Sequence, residues 1–158
     1  MCGIVGYIGT KQAAPIILDG LAKLEYRGYD SAGMAIYDGE KINITKSVGR
    51  LKILENLTHG GETMAGVCGI GHTRWATHGV PNNINAHPHF NTDGTITVVH
   101  NGIIENYIQL RQMLTDKGYQ FVSETDTEVL AHLLDYYYKG NPMEAVTKVL
   151  HRVEGSYA

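Results

Sequence analysis

The first apolar stretch, MCGIVGYIG, is β-branched and bounded by glycine, which predicts a short buried strand over residues 3–8. The period then changes. Ala14, Ile17, Leu18, Leu21 and Leu24 recur three or four positions apart, the spacing of one helix face, and Gly28 supplies a stop. AGMAIYD and KINITKSV flank Gly39 and read as a hairpin, and GVCGIGHTRW, residues 66–75, begins as another apolar strand. After a long polar loop, TITVVHNG at residues 95–102 alternates and ends in Asn-Gly, a turn signal. Ile103, Tyr107, Leu110 and Leu114 form a helical stripe up to Gly118, and YQFVSE then reads as a strand. Thr125 with Glu128 predicts a capping box ahead of a helix carrying Val129, Leu130, Leu133 and Leu134. A last helix opens at Asn141-Pro142 with Val146, Val149, Leu150 and Val153. EGSYA resembles the turn into a further strand, so the chain is expected to break off within its domain.

These elements describe one α/β domain with neither repeats nor linkers. Periodicity leaves open whether its sheet is parallel and doubly wound or built of stacked antiparallel sheets. A chain of 158 residues, 43% hydrophobic and 18% charged, has enough apolar surface for a continuous core. Its net charge of −3 provides no basic face for nucleic acid or an anionic membrane, which points to a small polar metabolite. Cys2 and Cys68 are too few for a disulfide framework, and no leader or membrane-spanning stretch stands out. A cytoplasmic protein is expected.

Cys2 stands directly behind the initiator Met1. Removal of Met1 would give one residue both a thiol and a free α-amine, whose pKa near 7.7–8.0 leaves it partly unprotonated at neutral pH and able to act as a base. The alternative is a small apolar residue leading a strand. HNG at His100–Gly102 supplies what a nucleophilic attack on a carbonyl needs next: the Asn101 side-chain amide and the Gly102 N–H are donors for a developing oxyanion, although Asn-Gly alone is also a plain turn. GHTRWATHG places Arg74, Trp75, Thr77 and His78 on a loop at a strand end, where the planar arginine fork can bind a carboxylate or merely pair with a nearby acid while Trp75 covers the core. SETDTEV puts Asp126 in the first turn of a helix, ionised by the helix N-terminus. Arg74 and Asp126 together offer opposite charges for the two ends of an α-amino acid. His87 and His89 in NAHPH lack the spacing of a metal site, so no metal or cofactor is expected, and His87 reads as a histidine bonding its loop backbone. Cys68 reads as a core residue. Neither a P-loop nor a dinucleotide fingerprint occurs.

Taken in order, MCGIVGYIG, LEYRGYDSAG, GHTRWATHG, NAHPH, HNGIIENY and SETDTEV resemble the N-terminal glutaminase domains of class II glutamine amidotransferases, in particular those of the isomerizing glutamine–fructose-6-phosphate aminotransferases. The resemblance covers essentially the whole chain. It implies an N-terminal-nucleophile hydrolase fold, a four-layer αββα arrangement of two stacked antiparallel sheets, here incomplete at the C-terminus. It implies that Cys2 attacks the side-chain amide of L-glutamine through a γ-glutamyl thioester, with Asn101 and Gly102 as the oxyanion hole. Arg74 would clamp the α-carboxylate, Thr77 and His78 would line that end, Asp126 would accept the α-ammonium, and Trp75 would belong to a closing loop. Arg27 falls near the nucleophile in the family and receives no catalytic step. Full-length members add isomerase domains that handle fructose 6-phosphate, and a homodimer is implied for them. An amidophosphoribosyltransferase-type glutaminase, or a non-catalytic glutamine-binding fragment, remains an alternative.

Overall fold

The computed structural model describes residues 2–158; the expected removal of Met1 concerns a residue outside them. Four strands form the main sheet: β1 (Gly3–Ile8), β2 (Ser31–Tyr37), β3 (Ile42–Val48) and β4 (Cys68–Arg74), in the order β1-β4-β2-β3, all antiparallel. α1 (Ala13–Leu24) lies across it. Its Ile17, Leu18 and Leu21 meet Met34 and Ile36 of β2 in a core that extends to Leu54 of α2 (Leu51–Leu57). Each such side chain, fully buried, contributes roughly 1.5–3 kcal/mol of transfer free energy.

The remaining strands are short ribbons, β5 (His89–Phe90) with β6 (Thr97–Val98) and β7 (Gly102–Ile104) with β8 (Gly155–Tyr157). A second core gathers Ile104, Leu110, Leu114, Val129, Leu133 and Val149 from β7 and from α3 (Tyr107–Asp116), α4 (Glu128–Tyr137) and α5 (Pro142–Leu150). Antiparallel sheets with helices packed on them thus replace the parallel alternative, in keeping with the N-terminal-nucleophile architecture that the motifs imply.

Several local expectations change. Ile103 leaves the α3 stripe for β7, because Gly102 turns the chain at φ 140° and β7 then pairs with β8. YQFVSE forms no strand: its Val122 and Ser123 N–H groups donate to the Glu128 carboxylate, not to a neighbouring strand. Drawn back in this way, Glu128 cannot close the expected capping box, and Thr125 instead bonds Ser123 and His89. Asp126 consequently sits in the turn before α4, whose first helical residue is Glu128. Asn141 does cap α5, accepting from the Met143 and Glu144 N–H groups.

Candidate active site

β1, β4, β7 and the turn before α4 converge on one cavity of about 510 Å³. It is lined by Cys2, Arg74, Trp75, Thr77, His78, Asn101, Gly102 and Asp126, every residue to which the motifs give a place in a glutamine site, together with Arg27. Their convergence follows from register. Gly3 faces Thr73 across the β1–β4 ladder, so Cys2 arrives beside the end of β4, where the Trp75 N–H donates to its Sγ at 3.2 Å. Cys68, by contrast, is half-buried at the start of β4 and is absent from the cavity wall.

The Asn101 Nδ2 donates to the Cys2 carbonyl at 3.0 Å, which holds the amide against the backbone of Cys2. Asn101 and Ala158 exchange both backbone hydrogen bonds, at 2.8 and 2.7 Å. Alternation along an antiparallel ladder then turns the next residue's N–H away from β8. Ile104 shows the consequence, since its N–H leaves the ribbon to donate to Asp126 Oδ2 at 2.8 Å. Gly102 shares that side. A Cβ there would collide with the Ser156 carbonyl, and its φ of 140° disfavours any other residue.

Arg74 is only 3% exposed, and no carboxylate among the described residues forms an ion pair with it. Its Nη2 donates to the His78 and Gly79 carbonyls, while Nη1 is buried with no partner among the described residues. A buried guanidinium N–H without an acceptor costs on the order of 1–3 kcal/mol, so this edge suits an anionic ligand. Asp126, also 3% exposed, offers the opposing charge. Trp75 does not cover the core: it is half exposed and meets Tyr29 edge to face, with ring centroids 5.6 Å apart.

Residues that the motifs left without a role hold these groups in place. Asp30 accepts from the Ala76 N–H and from Ser31, while its own N–H donates to the Arg74 carbonyl, fastening the turn after β4. Gly28 lies so close beneath that turn that a Cβ would come within 2.6 Å of the Arg74 carbonyl carbon. Asn85 bonds the Val80 carbonyl and both the backbone and carboxylate of Glu124, tying the arginine loop to the Asp126 turn. One signal for such residues was present in the sequence, namely polar side chains at buried strand or loop positions, which are retained only when bonded.

Behind Asn101 lies a buried column of histidines. His72 stacks on His87 at 4.0 Å between centroids, His89 meets His87 edge to face at 4.7 Å, and His100 bonds Thr127 through Nδ1 at 2.9 Å. His87 bonds backbone as expected, although the N–H it accepts belongs to His100. Among the described residues no cluster suited to a metal ion occurs. Burial pushes His72 down to about 4 and His89 to about 3, and holds His87 and His100 below the ordinary histidine value. All are neutral in the folded protein near neutral pH.

The unfolded chain therefore binds more protons below pH 6.5, and stability is expected to fall as pH drops from 6.5 towards 4. At pH 5 His72 alone accounts for about 2 kcal/mol. Glu128 does not obscure this window. Burial would raise its pKa, but the nearby His132 ring and hydrogen bonds from the Ser123 hydroxyl and the Val122 and Ser123 N–H groups outweigh burial and lower it to about 2, so it is ionised at pH 5. Urea unfolding at pH 7 and pH 5 checks the expectation, which an unchanged midpoint contradicts.

Residues 72–158 match the glutamine amidotransferase domain family. Over all 158 residues the chain is 65% identical to the isomerizing glutamine–fructose-6-phosphate aminotransferase of Clostridium tetani and 52% identical to that of Thermus thermophilus, in each case covering 26% of the relative. It thus spans about a quarter of the length of these curated relatives. Among solved structures it is similar to the glutamine phosphoribosylpyrophosphate amidotransferase of B. subtilis, with a TM-score of 0.84 and 31% identity, over 98% of this chain and 34% of that one.

Proposed function

Because the chain belongs to the glutamine amidotransferase domain family, we propose that it hydrolyses the side-chain amide of L-glutamine with Cys2 as nucleophile. The observation that carries this reading is the shared cavity. A thiol, two donors at the HNG turn and the buried, oppositely charged Arg74 and Asp126 line one space large enough to admit glutamine. Arg74 Nη1 takes the α-carboxylate and Asp126 the α-ammonium, leaving the amide end to reach Cys2.

Once Met1 is removed, the Cys2 α-amine accepts the thiol proton through a bridging water, and sulfur attacks the amide carbon. The resulting oxyanion accepts from Asn101 Nδ2 and the Gly102 N–H, each donor being worth on the order of 10²–10³ in rate. Collapse breaks the C–N bond, the α-ammonium returns its proton to the leaving nitrogen, and ammonia departs from a γ-glutamyl thioester. Water attacks that thioester with the amine again accepting a proton, and glutamate and the free thiol are regenerated.

In a longer protein like the curated relatives, further domains would use this ammonia to convert fructose 6-phosphate to glucosamine 6-phosphate, in a cytoplasmic homodimer. The higher identity to isomerizing aminotransferases than to the phosphoribosyl enzyme supports that substrate. A diazoketone analogue of glutamine tests the nucleophile directly. Mass spectrometry is expected to find it on Cys2, glutamine is expected to protect, and adduct on Cys68 or none would discard the assignment.

A further inference from the structure

We infer that His72 is a positioning residue that sets which end of the Asn101 amide faces the nucleophile. The inference rests on the glutaminase reading above and concerns a residue to which the six motifs attach no step. His72 is fully buried in β4, two positions before Arg74 and on the same face of the strand. Its Nε2 lies 3.2 Å from the His100 carbonyl and 3.1 Å from Asn101 Oδ1.

The carbonyl can only accept, so Nε2 must carry the ring proton. An atom that Nε2–H also approaches must be an acceptor, which makes it the amide oxygen of Asn101. Nδ2 is then turned towards Cys2, where it donates to the Cys2 carbonyl at 3.0 Å. With the amide reversed, Oδ1 would oppose that carbonyl and Nδ2 would oppose a donor, two repulsions in place of two hydrogen bonds. Stacking on His87 fixes the plane of the ring, and burial keeps it neutral, down to about 4. His72 Nδ1 is buried without a partner among the described residues, so the positioning passes through Nε2 alone.

This asymmetry supplies the test. Glutamine carries its amide nitrogen the same number of bonds from Cβ as histidine Nε2, whereas asparagine reaches only the Nδ1 position. In glutamine hydrolysis followed by ammonia release, His72→Ala and His72→Asn are expected to lower kcat about 10- to 100-fold, the fraction of one oxyanion donor lost to misorientation, with KM changed less than about threefold. His72→Gln restores most of kcat. In an Asn101→Ala background, His72→Ala adds less than about a twofold loss, because the amide it orients is gone. Circular dichroism and glutamine binding by calorimetry are measured for each variant.

Equal losses for Gln and Asn variants, a loss from His72→Ala undiminished in the Asn101→Ala background, or unaltered kcat in His72→Ala would each overturn the inference while leaving the glutaminase reading intact. Wild-type protein with a free Cys2 amine that releases no ammonia would instead overturn that reading, and the inference with it.

Discussion

Cys2→Ala is expected to reduce ammonia release from glutamine by at least about 10³-fold, because in the proposed mechanism every covalent step passes through its sulfur and the rest of the cavity supplies only binding and oxyanion stabilisation. Glutamine binding is expected to survive. In the proposed reading the clamp formed by Arg74 and Asp126 holds the other end of the substrate, and Cys2 Sγ takes one backbone N–H, from Trp75, whose loss should leave a half-exposed turn largely unaltered. Cys68→Ala is the control: half-buried at the start of β4 and outside the cavity, it should leave kcat within about twofold of wild type. Coupled glutamate production measures the rates, and calorimetry measures binding. A Cys2→Ala protein with substantial turnover would remove the thioester route, whereas loss of both binding and turnover would indicate a collapsed site.

The second large effect lies at the opposite end. Arg74→Lys is expected to raise KM for glutamine about 10- to 100-fold with a smaller change in kcat, since a charge-assisted hydrogen bond is worth roughly 1.5–3 kcal/mol and a lysine cannot serve two directions with a rigid fork. In the folded protein, Nη2 is committed to the His78 and Gly79 carbonyls, and Nη1 is the edge left for a carboxylate. An ammonium that kept the carbonyls would lose the ligand, and one that reached the ligand would release the loop. Asp126→Asn separates charge from structure. Its side-chain oxygen can still accept the Ile104 N–H, so β7 should remain in place while the affinity for the α-ammonium falls. Initial-rate kinetics over a wide glutamine range distinguish these cases. An unchanged KM in both variants would show that the α-carboxylate and α-ammonium bind elsewhere.

Not all of this site was equally legible along the chain. Cys2, the HNG turn and the arginine loop announce themselves because each combines a reactive or forked side chain with local turn chemistry. The capping box at Thr125 shows the opposite case. S/T-x-x-E is a local rule, and here a tertiary demand overrode it: Glu128 is needed to bond the Val122 and Ser123 N–H groups of a segment that no strand pairs. Ile103 fits the helical stripe just as well as Leu110 does, and only the β7–β8 pairing removes it from α3. Asp30, Asn85 and His72 carry no local signal of their partners for a related reason. Their partners lie 46, 39 and 29 positions away in sequence, at Ala76, Glu124 and Asn101, so no window of neighbouring residues contains the interaction that gives them a purpose.

By itself, then, the order of residues determined the main strands and helices and pointed to the family and to the side chains proposed to act, because these follow from short-range periodicity and from intrinsic functional groups. Only the tertiary structure decided that Cys2, Asn101, Gly102, Arg74 and Asp126 share one cavity, which amide edge of Asn101 meets the Cys2 carbonyl, and which nitrogen of Arg74 stays open. Those outcomes depend on strand register and on hydrogen bonds between distant segments, where shifting a strand by one position would turn each of its side chains to the opposite face.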